Sequence, residues 1–516
     1  MIRSGGDRVR ETVPEQPGRG SGASLLLLSM PDSFEHMPSL TMRMPNGALS
    51  SLAGNVDTPS RVAVADLILV QGRVRETVER LLDERRPTLV GLSVMTFQRR
   101  TARKIVALVR GRRPEATIVV GGYDPSLAPE AWTDVADVIV RGEGEITFRE
   151  LVRAHEEGRR PEGIAGLWYR EGERWVRNPP RPVSGLGSGE IRLPDRRSRV
   201  LDGYTFLGRK VDVVETSRGC TFDCSFCSII EMRGRNFHRF DFTRVLDDIR
   251  DARAAGARTI FVVDDNITLD VRRFEALCHA IVDAGLDGIE YLVQGMTSAI
   301  AAADESLCPL MRRAGFRYVF LGIENVVEDD LRFLKARAKN AERDRGRQVG
   351  NATRKAIDRI HAAGMYVVGG LIVGNPDDTR ESVEANLDFA SRHVDWPYIQ
   401  HPTPYPATPM TRELEGRGLV LERGVEEYDG TTALLRTEHV APEEVEFLRW
   451  RKERWMKTRH FPAALRHHPG FVLRNAGRML GHTFRGHGFR WLLGLEGDRE
   501  VFARYRALRR AEREYL

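Results

Sequence analysis

Three cysteines, Cys220, Cys224 and Cys227, stand close together in the run Ser217-Arg218-Gly219-Cys220-Thr221-Phe222-Asp223-Cys224-Ser225-Phe226-Cys227, in a chain of 516 residues with 5 cysteines in all. Thiolates at this C-x3-C-x2-C spacing can take three corners of a four-iron cube and leave the fourth iron without a protein ligand. An open iron is useful where a cofactor or substrate binds it. Structural zinc takes four protein ligands, and no fourth cysteine lies nearby. Disulfides suit secreted chains, and nothing here marks secretion. Cys278 and Cys308, the remaining two, read as small buried hydrophobes.

Such a loop needs a scaffold. Residues 211–410 alternate apolar runs with helical stretches. Strands are predicted at 211–215, 259–263, 288–294, 318–323, 366–373 and 398–402, with helices between them, as at 243–255 and 271–284. Six such units suit a partial (β/α)6 barrel, whose chemistry sits at the strand C-termini. Cys220 falls just past the first.

Residues 23–156 carry a second alternating series. Strands are predicted at 24–30, 61–70, 88–96, 116–120 and 137–140, and helices at 46–56, 73–86, 99–112 and 147–156. That order implies a doubly wound parallel sheet. Ser93, Thr96, Gly121, Gly122 and Gly142 fall at its strand C-termini, where such sheets bind ligands. Residues 1–22 read as a disordered arm. Residues 157–210 read as a linker with a hairpin around 166–176. Residues 411–516 read as a helical region, clearest at 443–456. The fold class is thus α/β with a helical C-terminal region.

Hydrophobic content of 41% supports large cores, and charged content of 29% fits a soluble chain. No apolar run approaches the ~20 residues that span a bilayer. Few cysteines and an oxygen-sensitive metal loop point to a cytoplasmic enzyme. The net charge of +6 is uneven: residues 441–516 hold 17 Lys and Arg against 9 Asp and Glu. Phe471, Leu473, Met479, Leu480, Phe484, Phe489, Trp491 and Leu492 are interleaved there with Arg474, Arg478, Arg485 and Arg490. The stretch reads as a helical cap on the barrel. The alternatives are a membrane-surface contact or cover for a lipidic substrate, or RNA phosphate binding, although no RNA-binding module is recognisable.

The cysteine run and its neighbours resemble the radical SAM enzymes. The resemblance implies a [4Fe–4S] cluster on Cys220, Cys224 and Cys227, with S-adenosylmethionine on the open iron and a 5′-deoxyadenosyl radical as the reactive species. An external one-electron reductant of flavodoxin or ferredoxin type is implied too. Phe226 resembles the aromatic beside the adenine. Asp264 and Asp265, in Val262-Val263-Asp264-Asp265-Asn266, stand where the family grips the methionyl ammonium; the other reading is a helix cap by Asp265 or Asn266. Glu324, in Gly322-Ile323-Glu324, resembles the ribose-binding carboxylate. Gly370, Ile372 and Gly374, in Gly369-Gly370-Leu371-Ile372-Val373-Gly374-Asn375-Pro376, resemble the element that packs backbone on adenine. Gln294 and Ser298 are candidates for the SAM carboxylate.

The order of doubly wound domain, linker and barrel is similar to the cobalamin-binding branch of that family. Residues 88–96, Gly121-Gly122, Gly142-Glu143-Gly144-Glu145 and Pro404-Tyr405-Pro406-Ala407-Thr408-Pro409 look like elements of that branch. Ser93, Thr96, Gly121, Gly122, Gly142 and Glu143 are the implied cobalamin contacts. The D-x-H-x-x-G run that gives histidine to cobalt in many B12 proteins is absent, and Asp124 stands where relatives often carry histidine. A domain that kept the fold without the cofactor is the alternative. The implied activity is methylation of an unactivated carbon in a small-molecule or lipid-like substrate. Cobalamin-assisted cyclisation or rearrangement, RNA modification and a non-catalytic structural cluster are the competing readings.

Overall fold

The computed structural model describes residues 22–34, 40–183, 185–344 and 347–516. The arm expected over residues 1–22 lies, but for Gly22, outside them.

The N-terminal unit is a seven-stranded sheet in the order Arg61–Asp66, Ser24–Ser29, Leu89–Ser93, Thr117–Gly121, Val138–Val140, Leu167–Glu171, Arg174–Arg177. The first five strands are parallel. Every residue of Ser24–Ser29 is buried, as expected of a central parallel strand covered on both faces. Its alternation divides the cores. Leu25 and Leu27 pack with Phe148, Leu151 and Val152, whereas Leu26 and Leu28 pack with Val78, Leu81 and Ile105. Two expectations shift. The run predicted as a strand over 61–70 turns at Asp66 into a 3-10 helix, Leu67–Arg73. The hairpin expected in the linker pairs antiparallel onto Val138–Val140 and completes the sheet.

The second sheet holds six parallel strands in the order Trp396–Gln400, Tyr366–Ile372, Phe316–Glu324, Glu290–Met296, Thr259–Val262, Arg209–Val214. It is the expected open barrel. The short strands Thr205–Phe206 and Met42–Arg43 extend its edge antiparallel, so a segment of the N-terminal unit joins the barrel sheet. Val319, Leu321 and Ile323 face the helix layer with Ile357 and Ile360. Tyr318, on the other face, belongs to the core shared with the N-terminal unit.

The end of the linker is an ionic strap. Arg199 holds Asp212 of the first barrel strand through two bonds, 2.8 and 3.0 Å, and donates to Ser50 Oγ at 3.0 Å. Arg196 pairs with Asp212 at 3.1 Å and Asp248 at 2.7 Å. Helices Pro442–His467, Pro469–Thr483, Phe489–Leu492 and Asp498–Ala511 follow. Val445, Leu448 and Met456 enter the barrel's outer core, and Arg449 donates to Ile399 O at 2.9 Å. Among the described residues, no helix is long and apolar enough to cross a membrane.

Candidate active site between the two α/β units

The cysteine loop leaves the first barrel strand through Ser217-Arg218, which pairs antiparallel with His238-Arg239. Asp264, at the end of the second strand, braces that exit. Its fully buried carboxylate accepts from Thr216 N at 2.6 Å and from the hydroxyls of Thr216 and Ser217 at 2.5 Å each. Burial raises its pKa to about 6 despite these donors. Asp264 is therefore occupied as a strut, a correction to its reading as an ammonium-binding group. Asp265 accepts from Gly219 N at 2.7 Å and from Arg233 at 3.0 Å. Gly219 has φ +92°, and a Cβ there would stand 2.4 Å from Asn236 O. Only glycine fits that turn into the loop.

The loop is tied down on its far side. Ser225 N donates to Leu334 O and Ser225 Oγ to Phe333 O, both at 3.0 Å, and Met410 N donates to Ser225 O at 2.9 Å. Cys224 is 5% exposed and packs among Leu331, Leu334, Ile372, Met410 and Leu414, with Phe226 and Cys227 against the same cluster. Burial pushes the Cys224 thiol up to about 12 and Cys227 to about 11. Asn266 Nδ2 stands 4.0 Å from Cys220 Sγ. Cys278 and Cys308 lie buried in the helix-layer core.

Glu324 ends the fourth strand at φ +60°, where the ladder to the fifth strand shifts register. It is 8% exposed and pairs with Lys339 Nζ at 2.8 Å. Burial opposes the Lys339 ammonium, but Glu324 and then Cys224 hold its pKa above the ordinary lysine value. Thr297 Oγ1 donates to Lys339 O at 2.8 Å. Sequence reasoning missed Lys339. It lies in a charged stretch before the hairpin Ala341–Asp344/Arg347–Asn351, with no periodic signal to mark it.

Gly370 lies against Phe320, whose ring atoms would stand 3.1 Å from a Cβ there. Gly374 has φ +94° and donates its N–H to Asp378 Oδ2 at 2.7 Å. Ile372 O accepts from Asn325 Nδ2 at 2.9 Å. Gln294 and Ser298 are half-buried at the end of the third strand and the start of helix Thr297–Ala302.

The N-terminal unit presents its strand C-termini to this loop. Val94 N donates to Gly121 O at 2.9 Å, Asp124 N to Val94 O at 3.1 Å, and Gly142 N to Ser126 Oγ at 3.0 Å. Ser93 Oγ accepts from Asn46 Nδ2 at 3.2 Å, and Thr96 opens a one-turn 3-10 helix. Gly122, at φ +98°, leaves no room for a Cβ, which would meet Val94 O at 2.9 Å, whereas Gly142 has open space above it. Asp124 is fully buried, bonded twice to Arg99 at 2.8 and 2.7 Å and once to Trp132 Nε1 at 3.0 Å. It is committed to its own domain.

The two units meet at charge. Arg218, two residues before Cys220, donates to Glu145 at 2.5 Å and to Glu215 at 2.8 Å. Glu145 also accepts from Ser51 Oγ at 2.9 Å. Burial alone would raise Glu145; the Arg218 charge and hydrogen bonds bring its pKa down to about 2. Glu143 differs. Both its carboxylate oxygens are buried without a hydrogen-bond partner, Arg218 stands 3.7 Å away, and burial raises its pKa. The short helix Tyr123–Leu127 packs on Ile229–Arg233. Burial raises the Tyr123 phenol, and the leading charges acting on it are Arg233, Asp265 and Cys227. Sequence reasoning missed Arg218 and Glu145, although both stand inside the quoted motifs, and Tyr123, which follows Gly121-Gly122 directly.

Two family profiles match this chain: the B12 binding domain over residues 42–152 and the Radical SAM superfamily over residues 214–390. The chain belongs to the cobalamin-binding radical SAM enzymes. It is 28% identical over 447 residues to an uncharacterized methyltransferase of Pyrococcus horikoshii, covering 84% of this chain and 93% of that one. It is 26% identical over 355 residues to the anaerobic magnesium-protoporphyrin IX monomethyl ester cyclase of Cereibacter sphaeroides, covering 66% of this chain and 55% of the other. The solved structure of the radical S-adenosylmethionine methyltransferase TsrM from Kitasatospora setae, with cobalamin and a [4Fe-4S] cluster bound, aligns with a TM-score of 0.62 at 21% identity, over 83% of this chain and 85% of that one. That likeness is one of fold. The cofactors of this radical SAM enzyme are a [4Fe–4S] cluster, S-adenosylmethionine and cobalamin.

The residues present fit these groups. Three soft donors share one loop, with Cys224 buried and Cys220 and Cys227 half-buried, and thiols with raised pKa values are kept ionised by a bound metal. Among the described residues, no three His, Cys, Asp or Glu side chains gather tightly enough to hold a single metal ion; a cube instead asks each cysteine for a separate iron. On the other unit, the Glu143 carboxyl has no hydrogen bond, although Arg218 and Arg233 stand 3.7 and 4.0 Å away, and is free to accept from amide donors. The open space above Gly142 gives room for a large ring to approach backbone.

Proposed function

We propose that this enzyme methylates an unactivated carbon of a small-molecule or lipid-like substrate in the cleft between the two units. The observation that carries this reading is the Arg218–Glu145 bond, which fixes the cysteine loop to the B12-type unit beside the turn Gly142-Glu143-Gly144. Bound there, the cluster with S-adenosylmethionine would supply hydrogen abstraction and cobalamin the methyl group.

The chain's own residues hold and orient. Cys220, Cys224 and Cys227 bind the cluster, and the apolar wall around Cys224 keeps water from it. Glu324, held by Lys339, accepts from the ribose hydroxyls. Gly370, Ile372 and Gly374 offer backbone to the adenine, with Phe226 alongside. Gln294 and Ser298 face the methionyl carboxylate. Asp265 keeps its place at the ammonium while steadying Gly219. Ser93, Thr96, Gly121, Gly122, Gly142 and Glu143 line the cobalamin side. The electron comes from an external flavodoxin- or ferredoxin-type donor. The cyclase relative keeps cyclisation without methyl transfer as the second reading.

The test is anaerobic turnover of the reconstituted enzyme with methyl-labelled S-adenosylmethionine and a small-molecule extract. Methyl transfer gives a labelled product together with S-adenosylhomocysteine and 5′-deoxyadenosine. 5′-Deoxyadenosine with an unlabelled product would replace this reading with cyclisation or rearrangement.

A further inference from the structure

A cavity of about 450 Å³ lies at the opposite end of the barrel from the cysteine loop. Its walls include Tyr318, Tyr366 and Trp396, which stand near the start of their strands. Cys220 and Glu324, by contrast, stand at or beyond strand ends. The outer wall is the C-terminal helices, through Phe461, Phe471 and Met479. The apolar residues that the sequence marked in the tail therefore enclose a space as well as cap the barrel. Its size falls within the range of small-molecule sites, which are mostly apolar with a few placed polar groups.

Its polar groups narrow the occupant. His460 Nε2 is buried with no hydrogen-bond partner. Burial keeps His460 and His482 on the neutral side, His482 with a pKa of about 3. His468 Nε2 is taken by the Tyr318 hydroxyl at 2.8 Å. Asp395 is taken by His361 at 2.7 Å and Val367 N at 2.8 Å. His460 Nε2 is thus a free imidazole nitrogen within a wall made mostly of aromatic and aliphatic side chains, which the exposed Lys457 also lines, and such a wall is a poor home for water. Leu480, one of the lining residues, is 52% exposed, so the wall carries an apolar side chain that also meets solvent.

We infer that this cavity is a binding site, separate from the cluster cleft, for an uncharged lipid-sized hydrocarbon bearing one hydroxyl or carbonyl that meets His460. The inference goes beyond the proposed methyl transfer and does not depend on it. The probe is parinaryl alcohol, a fluorescent long-chain alcohol, titrated anaerobically into the full reconstituted chain, with its hydroxyl-free hydrocarbon as control. The expected result is one saturable site per chain. Ala464→Trp, which fills the cavity from helix Pro442–His467, weakens it at least tenfold with iron content and 5′-deoxyadenosine formation unchanged. Thr458→Trp, at a half-buried wall position, does the same and serves should Ala464→Trp fail to fold. His460→Leu weakens the alcohol about fivefold and leaves the hydrocarbon unchanged. Absence of saturable binding, or binding that both tryptophan variants leave intact, overturns the inference. Loss of 5′-deoxyadenosine formation in the unaltered chain would instead count against the proposed function.

Discussion

Arg218 Nη2 lies 2.5 Å from Glu145 Oε1, so the residue two places before the first cluster cysteine is bonded to the first helical turn after the glycine-rich loop of the other unit. Both side chains are nearly inaccessible, at 6 and 7% exposure. A buried pair of this kind orients more than it stabilises, but breaking one partner strands the other charge. Glu145→Gln is expected to cost about 3–5 kcal/mol in anaerobic denaturant unfolding and to lower cobalamin retention with little change in iron. Because the folded Glu145 pKa of about 2 is depressed, its contribution is present above the ordinary carboxylate range and fades only as pH falls toward 2. Cobalamin retention should therefore stay flat between pH 6 and 9.

The pair Glu324–Lys339 predicts a SAM-binding defect separable from cluster assembly. Lys339→Met leaves the Glu324 carboxylate buried without its cation. Iron content should stay at the level of the unaltered chain, while affinity for S-adenosylmethionine, measured by equilibrium dialysis on reconstituted protein, falls at least tenfold. Glu324→Gln should show the same pattern.

Asp330 gives a pH prediction. Burial, and then the neighbouring Asp378, raise its pKa to about 8. Asp378 meanwhile accepts from Gly374 N and Asn375 N, at 2.7 and 2.8 Å, in the turn after the fifth strand. A carboxyl whose folded pKa is raised favours the folded state fully below its unfolded pKa near 4, and that advantage drains away up to about pH 8. Asp330→Asn should flatten the decline in melting temperature between pH 5 and 8. An unchanged slope would count against the protonated carboxyl.

Gly219→Ala tests the entry to the cysteine loop. The added methyl meets Asn236 O at 2.4 Å, at φ +92°. Iron incorporation should drop by more than half, whereas Gly142→Ala, whose Cβ meets no atom within 4 Å but whose φ of +76° strains the turn of the other unit, should keep the iron and lose cobalamin.

The strand series and the cysteine spacing were legible because period and local spacing are written along the chain. Helix Arg99–Arg112 forms over the range its periodicity predicts. What failed depended on partners distant in sequence. Nothing near residue 70 says that the strand begun at Arg61 must turn at Asp66, whose carboxylate is taken by Ser29 and Tyr204. The hairpin expected around 166–176 forms as Leu167–Glu171/Arg174–Arg177, but its place in the sheet was not legible, because its neighbour there, Val138–Val140, is short. Asp264 and Asp265 could not be told apart by type. Only the strand's geometry turns one inward to Thr216 and Ser217 and the other toward Gly219. Lys339 reaches Glu324 across 15 residues, a contact invisible to periodicity.

The central claim is that Cys220, Cys224 and Cys227 hold a four-iron cluster with one iron open to S-adenosylmethionine. Electron paramagnetic resonance of the anaerobically reconstituted, dithionite-reduced chain tests it most directly. The account predicts a [4Fe–4S]⁺ signal whose g-values shift when S-adenosylmethionine is added, absent from Cys220→Ala, Cys224→Ala and Cys227→Ala and retained in Cys278→Ala and Cys308→Ala. A signal that ignores S-adenosylmethionine, or one that survives loss of any of the three loop cysteines, would contradict it.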